Sequence, residues 1–435
     1  MALGGGTFTV QNKQLPGAYI NFVSAASASA ELSERGIATM PLALDWGREN
    51  EVFEVTWEEF QTNSLKLFGY EYTHEKLKGL RDLFANAKTL YAYRLGGGEK
   101  ARNELAEANF GGSRGNGLMT SAEASGDDSD SFVVKTFMDG REVDAQTVKN
   151  ASELKSNDFV SFDTSAELSL TAGIPLTGGT DREITTADYQ DYLDKIESYG
   201  FNTMGALVSD TAAKGLFASF VKRMRDEMGV KFQLVLHDYA NADSCGVISV
   251  KNEVKDKNAL KESLVYWVTG AAAGCEINKS NQNKRYNGEF DIDADFTQSQ
   301  LKAAVKQGEF VFHRVGSDIR VLEDINTMVT VSDTVGEVFK DNQTVRVIDQ
   351  IANDIAVLFN TKYLGVVPND NAGRISLWTD IVKHHEQLQS IRAIENFSDS
   401  DITVSQGDSK KSVVVVDAVT VVNAMSKLYM TVTVE

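Results

Sequence analysis

Hydrophobic and polar residues alternate one by one in the last stretch of the chain. Met430, Val432 and Val434 fall on one face, and Tyr429, Thr431 and Thr433 on the other. A period of two in β-branched and aromatic residues predicts a half-buried strand over 428–434, and the apolar run at 413–422 predicts a second. With nothing after it to cover its outer edge, the later strand invites pairing with another chain. The opposite end is similar, with Thr7, Phe8, Thr9 and Val10 alternating behind Gly4, Gly5 and Gly6. Such ends predict either arms that reach into neighbouring copies or strands that close sheets within their own chain.

Between these ends the period switches several times. Pro16-Gly17 marks a turn, 18–23 a strand, and 36–44 a strand entering a turn at Asp45-Trp46-Gly47. Helices are expected at 57–63 and 74–87, the latter with Leu77, Leu80, Leu83 and Phe84 at helical spacing, before a strand at 89–95. Short strands without helices follow at 118–120, 132–138, 141–148 and 159–162. Asp139-Gly140 between two of them is a hairpin signal, and the whole reads as a small β-sandwich. From Asp181 the rhythm becomes strand–helix–strand. Thr185 or Thr186 caps a helix over 189–199, with strands at 204–208, 230–236 and 246–250 and helices at 216–224 and 260–273. That alternation predicts a mostly parallel sheet covered on both faces. A helix at 298–307 and strands at 309–314 and 320–322 come next. Two long helices then face inward through Val347, Ile351, Ile355, Leu358 and Phe359, and through Ile375, Trp378, Ile381, Val382, Leu388 and Ile391.

A chain of 435 residues exceeds one core, so about three domains are expected. A net charge of −19 argues against a nucleic-acid-binding face, and no apolar run is long enough to span a bilayer. Cys245 and Cys275 form no disulfide framework, which points to synthesis in a reducing compartment.

Candidate chemistry is sparse. The glycine-rich stretch at 111–117 lacks the lysine and following helix of a phosphate-cradling loop, so it reads as a sharp bend. Asp210, His237 and Ser244 could be drawn as a nucleophilic triad, but no Gly-x-Ser-x-Gly elbow is present, and capping and turn roles fit them better. His384 and His385 are adjacent on a helix and point about 100° apart, so a solvated or partner-facing surface fits them better than one metal ion. No catalytic, cofactor-binding or metal-ligating residue is assigned. Trp46, Trp57, Trp267 and Trp378 read as core or interface packing, and Lys410-Lys411 as a turn.

Several strings, in this order, resemble contractile tail sheath proteins of myophages, prophages and contractile bacteriocins of Gram-positive bacteria. They are FGGSRGN at 110–116, FMDGREV at 137–143, SNQNKRYNGEF at 280–290, RVLEDINTM at 320–328 and VIDQIANDIAVLFNTKYLGVV at 347–367, with 412–434 fitting as well. The resemblance covers nearly the whole chain. It implies a structural polymer rather than an enzyme, namely hexameric rings stacked as a six-start helix around a tail tube. The fold it implies is α/β and multidomain: an arm at 1–17, a body at 18–97 and 179–332 with a mostly parallel sheet, a β-sandwich inserted at 98–178, an α+β domain facing the tube at 333–425, and a second arm at 426–435.

By the same resemblance, Thr7, Phe8, Thr9 and Val10 and Tyr429, Met430, Thr431, Val432, Thr433 and Val434 would add strands to sheets in neighbouring copies. Gly4–Gly6 and either 398–401 or 407–409 would be the hinges. Lys383, His384 and Arg392 would meet an acidic tube. Expected partners are further copies of the chain, the tube protein, and baseplate and tail terminator proteins, without nucleic acid or membrane insertion. Assembly in the bacterial host cytoplasm and a place in a virion tail or released contractile particle follow. A secretion-type sheath subunit and an α/β hydrolase are the alternatives; the former usually splits the sheath between two chains and carries an unfoldase-recognition helix that is not seen here.

Overall fold

A computed structural model describes residues 32–126, 130–333 and 335–434. The expected strands at 7–10 and 18–23 lie outside them. In chain order the elements used below are strand β1 (Ile37–Ala43), β2 (Val52–Thr56), helix α1 (Trp57–Phe68), α2 (Lys78–Phe84), β3 (Thr89–Leu95), β4 (Leu118–Ala124), β5 (Phe132–Met138), β6 (Arg141–Val148) and β7 (Thr171–Pro175). They continue with α3 (Thr186–Ile196), β8 (Thr203–Gly205), α4 (Thr211–Asp226), β9 (Gln233–His237), β10 (Val247–Val250), α5 (Leu264–Gly274), α6 (Gln298–Lys306) and β11 (Glu309–Phe310). The last are α7 (Asn342–Leu358), α8 (Asn371–Ser390), β12 (Ile402–Gln406) and β13 (Val413–Asp417). The architecture is multidomain α/β, and the chain divides into two compact units.

The first unit comprises Met1–Thr39, Gly79–Lys88 and Ser198–Glu435. Its sheet runs β11-β10-β9-β8-β1, every pair parallel. All of β10 and nearly all of β9 are buried, as expected of strands covered on both faces. Helix α4 begins where the Asp210 carboxylate accepts from the Ala213 N–H at 2.8 Å, and it buries Phe217, Phe220, Val221 and Met224. Helix α5 is buried almost all round, and its Trp267 indole donates to Asn287 Oδ1 at 2.7 Å. Two buried ion pairs meet on α7. Arg225 is bidentate on Asp349 at 2.6 and 2.7 Å, and Arg346 Nη2 lies 2.6 Å from Asp324.

The second unit comprises Met40–Lys78 and Thr89–Glu197. Here β2 pairs antiparallel with β3, and a four-stranded antiparallel sheet runs β7-β4-β5-β6. The β5–β6 hairpin turns through Asp139 (φ 53°) and Gly140 (φ 79°), both left-handed, which matches the twist of the flanking strands. Trp46, Leu118, Met138, Phe159, Val160 and Leu176 share one core. The buried Arg94 guanidinium donates to the carbonyls of Leu44 (3.0 Å), Gly47 (2.8 Å) and Gly111 (2.8 Å), and so fixes the start of the glycine-rich stretch. A short turn at Ser113–Gly117 leads from there into β4, not into a helix. A Cβ at Gly112 would stand 2.2 Å from the Asp45 carbonyl oxygen, so the sharp bend needs glycine there.

Some expectations change. Strand β2 was not foreseen. The run at 413–422 breaks between β13 and a short strand at Thr420–Val421, which pairs with Ile394–Glu395. Ile375 does not face inward. It is 54% exposed near the start of α8, where the helical stripe turns away from the core formed by Leu377, Ile381 and Val382.

Burial pushes the Asp324 carboxyl up, but Arg346, the Asn281 N–H (2.8 Å) and the Asn342 amide (3.0 Å) outweigh it and hold the group below the usual carboxylate range. A lowered folded value adds stability that is present above the unfolded value of about 3.9 and is lost as pH falls through the folded one. Asp324→Asn leaves Arg346 buried without its charge partner and should cost about 3–5 kcal/mol in urea unfolding at neutral pH. The gap to the parent should narrow below about pH 3.9.

Candidate functional site

The sequence pattern that predicts a strand at 428–434 has no partner among the described residues. From Met425 to Val434 there is neither helix nor strand. Among the described residues no hydrogen bond to this segment is found. Its apolar side chains stand in solvent, with Leu428 85%, Tyr429 88%, Met430 74% and Val432 69% exposed. Fully burying a large apolar side chain contributes about 1.5–3 kcal/mol, so these four are a substantial unspent driving force. Ten extended residues reach roughly 33 Å.

The segment begins at a firm anchor. Gln343, 2% exposed in the first turn of α7, holds the preceding backbone on both sides of its amide. Its Nε2 donates to the Val422 carbonyl at 3.0 Å and its Oε1 accepts from the Ala424 N–H at 2.9 Å. Asn423 Nδ2 donates to Thr344 Oγ1 at 3.1 Å, and the Val422 N–H donates to the Ala393 carbonyl at 3.0 Å. Asp341 caps the helix that presents Gln343 and Thr344. Among the described residues the hydrogen-bonded backbone therefore ends at Ala424. The two expected hinges are ordered instead: Ser398 and Asp401 form a capping box, and Gly407 closes the β12–β13 hairpin with its N–H on the Ser412 carbonyl at 2.9 Å.

That hairpin offers an edge. β13 pairs with β12 from Ile402↔Asp417 to Gln406↔Val413, and its other side has no strand among the described residues. Val414, Val415 and Val416 are exposed along it. An apolar strand with one free edge is an acceptor for an incoming strand.

The remaining residues singled out in the sequence fall as follows. Thr7, Phe8, Thr9, Val10 and Gly4–Gly6 lie outside the described residues. Lys383 and Arg392 are exposed. His384 is not available to a partner. Its side chain is 1% exposed, with Nε2 3.0 Å from Asp354 Oδ2, because that face of α8 packs inward. His385 is fully buried as well, so neither histidine lies on the solvated surface expected for the pair. Asp210 is a helix cap, and Ser244 Oγ accepts from the Gly246 N–H at 3.2 Å, so both serve local backbone roles. Among the described residues no group of three or more His, Cys, Asp or Glu could hold a metal, and no helix is long and apolar enough to cross a membrane. Sequence reasoning missed the Gln343–Thr344 anchor, whose partners are about eighty positions away and leave no local signal.

Comparison with known proteins gives a consistent picture. Residues 35–95 match the tail sheath protein Gp18 domain III N-terminal region, 96–181 the phage tail sheath protein beta-sandwich domain, 182–327 the phage tail sheath protein central domain, and 334–435 the phage tail sheath C-terminal domain. Phage-like element PBSX protein XkdK of Bacillus subtilis (strain 168) is 33% identical over 464 residues, spanning 98% of this chain and 99% of its own length. The crystal structure of the sheath tail protein of Desulfitobacterium hafniense is similar with a TM-score of 0.80 and 36% identity, over 90% of this chain and 93% of that one. The helical sheath of the anti-feeding prophage in its contracted state shares the fold at a TM-score of 0.57 and 13% identity, over 97% and 99% of the two chains.

Gln343→Ala removes two hydrogen bonds worth about 0.5–1.5 kcal/mol each. Amide exchange at Val422–Ala424 should rise about tenfold or more, while exchange in β9 and β10 should not change.

Proposed function

The chain belongs to the phage tail sheath protein family, which is structural and not enzymatic, and from that premise we propose that its copies polymerise by exchanging strands. The residues 428–434 of one copy add to the open edge of β13 in the next. Thr7, Phe8, Thr9 and Val10 form a second such link. The copies stack as hexameric rings in a six-start helix around a tail tube, and the sheath shortens to drive the tube through a cell envelope.

The observation that carries this reading is a firmly anchored segment whose backbone and apolar side chains have no partner among the described residues, beside an apolar strand whose edge is free among them. Pairing through main-chain hydrogen bonds holds two copies whatever the side chains elsewhere do. Pivots outside the paired strands let the bodies rotate while the links persist. A difference of a few kcal/mol per copy between two packings adds up along a long assembly.

The tube contact falls to Lys383 and Arg392, two exposed cations on an acidic chain. Such an attraction is screened by salt. Baseplate and tail terminator proteins would bind the two ends of the cylinder. The protein is part of a phage tail or contractile particle, and its assembly is proposed to take place in the host cytoplasm.

Two measurements test the reading. Truncation after Ala424 should abolish cylinders in negative-stain electron micrographs while urea unfolding shifts by no more than about 0.5 kcal/mol, as for surface changes. Normal cylinders from the truncated chain would refute strand exchange at this end. Reversing Lys383 and Arg392 to Glu should weaken binding to the tube protein at low salt and have little effect at high salt. Unchanged low-salt binding would remove these residues from the tube contact.

A further inference from the structure

Helix α7 carries a second polar cluster two turns beyond Gln343, and it leads across the core. Asp354, whose side chain is 6% exposed, accepts from Ser33 Oγ at 2.5 Å and from Gln350 Nε2 at 3.0 Å. Its other oxygen lies 3.0 Å from His384 Nε2 on α8. His384 Nδ1 stands 3.4 Å from His385 Nδ1, and His385 Nδ1 stands 3.0 Å from the Ile381 carbonyl. On its far side, His385 Nε2 approaches Asp417 Oδ2 at 2.9 Å, an ion-pair distance, though the alignment falls short of a hydrogen bond. The two imidazoles are 1% and 0% exposed, and Asp417 is partly exposed at the end of β13. A chain of hydrogen-bonding polar groups therefore runs through the interior from Ser33 to His385, and Asp417 stands 2.9 Å beyond its last nitrogen. Ser33 is the second of the described residues, and Asp417 is the last residue of β13, a few positions before the anchor at Val422–Ala424.

The proton positions along this path depend on one another. Asp354 accepts from Ser33 and Gln350, so the hydrogen toward His384 sits on Nε2. The Ile381 carbonyl can only accept, so His385 carries a hydrogen on Nδ1. His384 Nδ1 must then be bare, because a hydrogen there would face another across the 3.4 Å gap. If Asp354 no longer holds the Nε2 hydrogen, His384 is free to take the other tautomer. His385 must then turn from the Ile381 carbonyl or move its hydrogen to Nε2, and the bare Nε2 that faces Asp417 Oδ2 shifts with the ring or becomes a donor to it. The two rings form an element with two discrete arrangements, which is what coupling across a packed core requires.

We infer that the path Ser33–Asp354–His384–His385–Asp417 couples the root of the N-terminal segment to the β13 strand and the C-terminal anchor behind it. Under the strand-exchange reading, on which its biological use rests, engagement of one end conditions the other end of the same copy. A copy joined at one side is then better ordered to be joined at the other. The occupant of that element is proton placement, and no ligand is required.

The test uses the full chain before assembly, so its outcome is separate from whether strands are exchanged. Amide exchange in β12 and β13 is measured for Asp354→Asn, Asp417→Asn and the double variant. Each single change should speed exchange in β13 about tenfold, and the double variant should be no faster than the faster single one. Groups that share no partner contribute independently, so a double variant about a hundredfold faster would overturn the coupling. Ser33→Ala provides a milder perturbation at the far end, in case Asp354→Asn does not fold. It should raise exchange in β13 while leaving β9 unchanged, and an effect confined to the residues that touch Ser33 would also overturn the inference.

Discussion

A backbone N–H or C=O that leaves water must find a partner, and an interior tolerates few exceptions. Much of this chain follows from how it meets that demand at its C-terminal side. Gln343 satisfies one carbonyl and one amide at Val422 and Ala424, and among the described residues the pairing stops there. Beyond it, main-chain groups alternate with apolar side chains that water serves poorly. The free edge of β13 has the same incomplete chemistry. With a donor and an acceptor of one kind in each copy, the proposed strand exchange resolves both.

Helix α7 holds this arrangement. Over 17 residues it buries Gln343, Thr344, Arg346, Asp349, Gln350 and Asp354 in addition to its apolar stripe. Between them these polar groups reach four separate stretches, namely Val422–Ala424, Asp324, Arg225 and Ser33, and His384 on α8. Buried polar groups are costly when unpaired and directional when paired. The helix therefore sets the positions of the segments it binds more strictly than an apolar face of the same size would.

What was legible in the sequence is what local chemistry decides. β5 and β6 were read with their correct ends because Asp139-Gly140 specifies the turn and the alternation on either side specifies the strands. The α/β rhythm after Asp181 was legible because short apolar runs alternate with helical stripes, two of which begin at the capping residues Thr185 and Asp210. β2 was overlooked because it is five residues long and ends at Thr56, whose capping box with Glu59 draws attention to the helix instead. The strand pattern at 428–434 is present in the sequence, but the described residues supply it no neighbour, and it takes no strand form. His384 was misplaced because two adjacent polar residues on a helix normally face solvent, whereas here a carboxylate thirty positions earlier pairs with one of them. Buried polar partners far apart in sequence leave no periodic trace, and for the same reason the Gln343 anchor could not be found in advance.

The exposed segment also bears on how fast copies find each other. Its only charged residue between Met425 and Val434 is Lys427, on a chain whose net charge is −19. Two such bodies repel at close range, but salt at physiological strength confines that repulsion to about 8 Å. A tether of roughly 33 Å extends well past this zone. Under the proposed strand exchange, the capture radius of a free subunit is then set by its tail rather than by its body, and ionic strength governs how closely the bodies settle afterwards.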